Sequence, residues 1–174
     1  MARLLLLRHA KTERAEAGER DRDRKLTVQG RADAAAIGAY LIRHRLLPDL
    51  ALTSPAVRAE ETLAGAAAEF AEPPRVAREE RIYNASPDTL IRLIRETRDA
   101  KTPLLVGHNP GMHDVALALI ASGDAETRER LAEKLPTSGL VVIDFAFDDW
   151  SRLDVNCGRL ERFVSPRSIE AAAD

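Results

Sequence analysis

Residues Leu4-Leu5-Leu6-Leu7 form an unbroken apolar run, followed at once by Arg8-His9-Ala10-Lys11. A strand with one wet face alternates apolar and polar residues, so a short run with no alternation predicts a strand covered on both faces. Open α/β sheets built from such strands hold their ligands at the C-terminal edge, and Arg8 and His9 fall at that edge. Arginine carries a planar fork of donors that matches phosphate oxygens. A neutral imidazole can attack phosphorus. The run thus predicts a layered fold and a phosphate pocket around His9.

Further along the chain, helical and strand patterns alternate. Residues 12–25 mix both charge signs densely and read as a solvated loop, placed beside His9 where it could gate a substrate. Thr27 is expected to cap a helix from Val28 to about Arg45, although Gly30 and Gly38 are poor helix formers. Leu50–Thr53 reads as a second strand. Ser54-Pro55 follows, predicting a helix capped by Ser54 and running to about Phe70, with Arg58 one turn in. An extended piece near 75–82 precedes Ser86-Pro87-Asp88, a second cap-plus-proline start. Pro103–Val106 is the third apolar strand and ends in Gly107-His108-Asn109-Pro110. Helices are expected over 112–121 and 125–135. A β-hairpin follows, with strands over 140–147 and 152–155 around a turn at 148–151, and 159–164 as an edge strand or extended tail. The last residues, 168–174, have little to bury and are expected to fray. The pattern predicts a three-layer α/β/α sandwich with a mostly parallel central sheet, one domain spanning residues 1–174.

Bulk properties exclude several classes of function. A chain of 174 residues with 45% hydrophobic and 31% charged residues can bury a full core. A formal charge of −2 points away from nucleic acid and from anionic membrane surfaces as partners. The single cysteine, Cys157, can form no intrachain disulfide, and no cysteine-rich metal site is present. The opening apolar run is too short for a signal peptide, and no stretch is long enough to span a membrane, so a cytoplasmic location is expected. No metal and no cofactor are expected.

Two strand ends share one design, each placing a histidine just past an apolar run: His9 and His108. Between them in sequence lie Ser54 and Arg58. If the three strands are neighbours, Arg8, His9, Arg58 and His108 converge on one point suited to a phosphoryl dianion. The helix start at Ser54 would add backbone donors. His44, between Arg43 and Arg45 at a helix end, is expected to be structural, and His113 to lie on a helix surface. Lys11 is expected to face solvent, and Asn109 to support its loop.

Arg8-His9-Ala10-Lys11, Ser54-Pro55-x-x-Arg58-Ala59-x-x-Thr62 and Gly107-His108-Asn109-Pro110 resemble the signatures of the histidine phosphatase superfamily, the phosphoglycerate-mutase-like group. The short chain, the segment Arg24-Lys25-Leu26-Thr27-x-x-Gly30 and the Gly-His-Asn-Pro form of the last motif resemble its SixA-type phosphohistidine phosphatases. The likeness runs from Leu4 to about Phe145. It implies an α/β/α sandwich and metal-independent phosphoryl transfer through a covalent phosphohistidine. Carried over by position, His9 becomes the nucleophile, Arg8 and Arg58 the phosphate clamps, and His108 a second imidazole stabilising the transferring group. His9 must then be neutral at its attacking nitrogen while its other nitrogen is held by an acceptor such as a backbone carbonyl. His108 is expected to become cationic beside the dianion, so the two rings need opposite protonation states.

The leaving-group acid is open. Glu79-Glu80 falls where mutase-like relatives carry an acidic residue before a helix, and Glu80 is the candidate; the alternative is a surface pair bridged to Arg78 and Arg81. A phosphohistidine substrate weakens the need for an acid, because imidazole leaves more readily than alkoxide. Ser54 is expected to be a helix cap and a hydrogen-bond partner near the phosphate. The chain lacks the long insertion that covers mutase sites, which points to an open pocket and a bulky substrate such as a phosphorylated protein. A small phosphate ester is the competing substrate. A non-catalytic phosphate-binding module and a metal hydrolase using His9 and His108 are the readings of other classes, the latter without the usual ligand spacing.

Overall fold

Leu4 and Leu6 pack on one face of a sheet, and Leu5 and Leu7 on the other. All four are fully buried, each contributing about 1.5–3 kcal/mol by leaving water. The computed structural model describes residues 1–173. The strand holding this run, β1 (Ala2–Arg8), is central in a seven-stranded sheet with β2 (Leu50–Thr53), β3 (Arg75–Arg78), β4 (Pro103–Gly107), β5 (Ile120–Gly123), β6 (Leu140–Phe145) and β7 (Gly158–Val164). Their spatial order is β3-β2-β4-β1-β6-β7-β5. Only β6 runs against the others, pairing antiparallel with both β1 and β7.

Helices cover both faces. The helices α1 (Val28–Arg43) and α2 (Val57–Ala67) pack Ile37, Leu41, Ala59 and Leu63 against Leu5, Leu7, Leu104 and Val106. On the opposite face, α3 (Pro87–Arg95), α4 (Gly111–Leu119) and α5 (Ala125–Glu133) bury Leu90, Ile94, Met112, Val115 and Leu131 against Leu4, Leu6 and Leu105. The architecture is therefore the expected α/β/α sandwich with a mostly parallel sheet. Thr27 caps α1 by accepting from the Gly30 amide, and Ser86 caps α3 by accepting from Thr89. The two glycines of α1 have a packing reason. A side chain at Gly30 would collide with the carbonyl of Lys11, and one at Gly38 with that of Ala66.

Several boundaries differ from the sequence reading. The helix expected to begin at Ser54-Pro55 starts at Val57, because the Ser54 amide still donates to the Val106 carbonyl at 3.0 Å and prolongs β2. Arg58 is thus the second residue of α2 rather than one turn in. Residues 152–155 form no strand. The chain turns through a 3-10 segment, Trp150–Arg152, burying the Trp150 indole against Phe145 and Phe147 with its N–H on the Ala100 carbonyl at 2.7 Å. The hairpin partner of β6 is β7, which lies inside the sheet rather than at its edge. The edge on that side is β5, read from sequence as the end of a helix. There α4 stops at Leu119, the amides of Asn156 and Cys157 take the Ala118 and Leu119 carbonyls, and pairing with β7 overrides helix propensity. The C-terminal segment forms α6 (Pro166–Ala173), whose Ile169 packs against the α1–α2 side of the core; Asp174 of the expected tail lies outside the described residues. No helix among the described residues is long and apolar enough to cross a membrane.

Candidate active site

Strand register brings the separated motifs together. Arg8 pairs with Gly107, so His9 and His108 leave neighbouring strands at the same level, and Thr53 pairs with Val106 on the other side of β4. The two imidazole rings lie 5.2 Å apart between centroids, tilted by 53°. Both are buried, as is Arg58. The convergence expected of Arg8, His9, Arg58 and His108 at one sheet edge is present.

Local contacts fix each group. His9 Nδ1 meets the Ala10 carbonyl at 2.8 Å, so Nδ1 donates and Nε2 carries the free lone pair. Burial chiefly, with the positive charges of Arg58, Arg8 and Arg24, pushes the His9 pKa down to about 4. His108 is pushed down to about 3 by burial first, then by Arg58 and His9. Before any ligand binds, both rings are therefore neutral at neutral pH, and the expected charge on His108 has to come from a bound dianion. Ser54 Oγ lies 2.7 Å from His108 Nε2 and accepts from the Ala56 amide at 3.2 Å. Ser54 therefore bonds the second histidine but does not cap α2, whose N-terminal position is Ala56. His108 Nδ1 is buried without a hydrogen-bond partner among the described residues.

The arginines differ in their attachments. Arg8 gives Nη1 to the Leu135 carbonyl at 3.1 Å and keeps a buried, unpartnered Nε. Arg58 gives Nη1 to the Asp21 carbonyl at 2.8 Å and Nη2 to the Asp21 carboxylate at 3.0 Å. A guanidinium has five N–H donors, so three make no hydrogen bond among the described residues.

Other candidates lie at the rim or away from it. The Glu80 side chain is 70% exposed and pairs with Arg22 at 2.6 Å; this is the surface-pair alternative, with Arg22 in place of the flanking arginines, while Glu79 pairs with Arg81. Lys11 is exposed, and its carbonyl receives the Thr27 amide. His44 ends α1 against Tyr40, and His113 bonds the Leu131 carbonyl between α4 and α5, both outside the pocket. Asn109 Nδ2 donates to the Leu135 carbonyl at 2.9 Å, supporting its loop as expected.

Sequence reasoning missed three contributors, Asp21, Tyr83 and the turn 136–139, and held Thr62 only as a motif position without a role. Asp21, inside the charged run, binds Arg58 and also accepts from Tyr83 Oη at 2.6 Å and Arg24 Nη1 at 3.1 Å. Alternating charges gave no signal that one carboxylate engages the buried Arg58. Tyr83 lies edge-on to His108, centroids 5.5 Å apart. Thr62 Oγ1 accepts from the Ala10 amide at 2.9 Å and donates to the Arg58 carbonyl at 2.6 Å, tying α2 to the nucleophile loop. Its position four residues after Arg58 places both on one helix face, a signal that was available. The turn 136–139 buttresses β1: the Ser138 amide donates to the Arg8 and His9 carbonyls, and Ser138 holds the left-handed φ of 58°. The turn-forming composition of Pro136-Thr137-Ser138-Gly139 marked it.

Comparison with known proteins agrees with this geometry. Residues 4–83 match the family model of the histidine phosphatase superfamily (branch 1). An uncharacterized protein of Mycobacterium tuberculosis is 38% identical over 164 residues, covering 92% of this chain and all of the relative. A crystal structure provisionally designated phosphohistidine phosphatase SixA, from Agrobacterium tumefaciens, superposes with a TM-score of 0.81 at 34% identity, over 95% of this chain and 98% of that one. The structure of a protein histidine phosphatase SixA complexed with tungstate shares the fold at a TM-score of 0.77 and 18% identity, over 96% and 99% of the two chains. With the motifs, the sheet and the paired histidines in agreement, the chain belongs to the histidine phosphatase superfamily, in its SixA-type group, and is a phosphatase.

Proposed function

We propose that the protein hydrolyses phosphohistidine on proteins without a metal, through a covalent phosphoryl group on His9. The observation that carries this reading is the bond from His9 Nδ1 to the Ala10 carbonyl at 2.8 Å. It fixes the tautomer in which Nε2 is unprotonated, and the lowered pKa keeps that nitrogen nucleophilic at neutral pH. Phosphoryl transfer passes through a loose transition state, so positioning and charge stabilisation supply most of the catalysis. Arg8 Nε and the three uncommitted donors of Arg58 serve the non-bridging oxygens. If the Ser54 hydroxyl donates to His108 Nε2, then Nδ1 bears the proton and donates to the same group even while the ring is neutral.

In the first step His9 Nε2 forms a bond to phosphorus as the bond to the leaving atom breaks on the opposite side. In the second, water attacks phospho-His9, orthophosphate departs, and the imidazole is regenerated. Glu80 has no proton-transfer role in this scheme, since its carboxylate is committed to Arg22 at the rim. A protein-borne substrate is supported by the SixA designation of the 34%-identical relative and by the short segment, residues 12–26, that forms the rim.

The test compares kcat/KM of the chelator-treated protein on a phosphohistidine-bearing carrier protein and on a panel of small phosphate monoesters. The expected result is at least a tenfold preference for the phosphohistidine protein, unchanged by chelator. A preference for one small ester, or loss of turnover on chelation, overturns the reading.

A further inference from the structure

We propose that Asp21 sets leaving-group specificity, its carboxylate receiving the N–H of a departing imidazole and so favouring phosphorylated nitrogen over phosphate esters. The inference rests on the His9 chemistry proposed above and concerns a residue with no role in it so far.

In-line displacement puts the attacking and leaving atoms on opposite sides of phosphorus. His9 and Arg58 are buried at the floor, so the leaving atom points outward. The Asp21 side chain is half-exposed where that of Arg58 is buried, so it lies on the solvent side of the guanidinium, which it holds through both its carbonyl and its carboxylate. Through Tyr83, whose hydroxyl it accepts at 2.6 Å, it also borders the ring of His108. Asp21 therefore spans the mouth through which a leaving group departs.

The chemistry of this carboxylate is restricted. The Tyr83 hydroxyl, then Arg24 and Arg58, hold its pKa well below the ordinary carboxylate range. It carries no proton at neutral pH and cannot supply one to an alkoxide, whose developing negative charge it repels. A phosphoimidazole presents the reverse case. Its distal ring nitrogen can carry a proton, and that N–H can donate to a carboxylate. A carboxylate offers about four acceptor positions; Arg58, Tyr83 and Arg24 occupy three. The hydrogen bond keeps the phosphorylated ring protonated. When His9 Nε2 bonds to phosphorus, the P–N electron pair returns to the ring nitrogen, and the imidazolium departs as neutral imidazole. No proton need move in that step, so no general acid is required.

The experiment measures kcat/KM for N-phosphoimidazole and for p-nitrophenyl phosphate, whose aryl oxide needs no acid, in the native protein and in Asp21→Asn. Both rates reflect any disturbance of Arg58, so the readout is their ratio. The ratio of phosphoimidazole to aryl phosphate turnover is expected to fall at least tenfold in Asp21→Asn. It should fall similarly in Asp21→Ser, and by much less in Tyr83→Phe, which keeps the charge. Equal losses on both substrates would reduce Asp21 to a positioning residue for Arg58 and overturn the inference. A native protein that turns over the aryl ester but not phosphoimidazole would sink the phosphohistidine reading itself. The two failures are therefore distinguishable.

Discussion

Replacing Arg58 by alanine removes a charge buried between Asp21 and the two imidazoles, and its consequences follow from the contacts. Three of its N–H donors are free for phosphoryl oxygens. Charge-assisted hydrogen bonds contribute about 1.5–3 kcal/mol each, and two made only in the transition state amount to about 3–6 kcal/mol. At about 1.4 kcal/mol per decade, kcat/KM should fall roughly 10²- to 10⁴-fold. The lower end agrees with the loss of one preorganised donor elsewhere, about 10². Arg58→Lys keeps the charge without the fork and should fall between. A second effect is directional. Arg58 is one of the charges that depress His9, from its ordinary value to about 4, so its removal raises that pKa, though burial keeps it below the ordinary value. Protonation of His9 abolishes attack, so the acid limb of kcat/KM, which reports the free enzyme, should move to higher pH in Arg58→Ala. Stopped-flow or steady-state assays from pH 4 to 8, with circular dichroism to verify folding, measure both. A folded Arg58→Ala variant within tenfold of native, with an unmoved acid limb, would refute the pocket as described.

Further expectations come from neighbouring contacts. Thr62→Val keeps the shape but leaves the buried Ala10 amide without its 2.9 Å acceptor. That should cost about 1–3 kcal/mol, seen as a lower midpoint in urea with an unchanged slope; an unaltered midpoint contradicts the role given to Thr62. Glu80→Gln should change turnover of an alkyl phosphate less than about threefold, since the carboxylate is engaged by Arg22, and a hundredfold loss would restore it as the acid. For pH-dependent stability, both folded imidazoles have pKa values below the unfolded one, about 4 and about 3. The unfolded chain therefore binds more protons between about pH 4 and 6.5. Stability should rise with pH there, by at most about 1.4 kcal/mol per unit for each ring, and be lost as pH falls. His9→Gln should flatten that slope in urea titrations, and an unchanged slope would contradict the neutral assignment.

The fold and the four central residues were legible because each left a local mark. Leu4–Leu7 announced burial on both faces, and two apolar strands ending in histidine announced a shared edge. Adjacent parallel pairing of β2, β4 and β1 then did the rest. What stayed hidden depended on partners distant in the chain. Strand β5 exists because β7 offers it a ladder, and after Ile120 its own Ala121-Ser122-Gly123 carries little strand preference. Ser54 followed by Pro55 looked like a helix start, yet the Ser54 amide was taken by the sheet and its hydroxyl by His108. Asp21 was indistinguishable from its charged neighbours, since only the fold places Arg58 and Tyr83 around it.

The central claim is that His9 accepts the phosphoryl group, and rapid-quench trapping of phosphoenzyme from a radiolabelled substrate tests it most directly. The account predicts a label that is stable in alkali, labile in acid, found on the peptide containing His9, and absent from His9→Ala, which should also be inactive. A label on another residue, or full turnover by His9→Ala with none trapped, would contradict it.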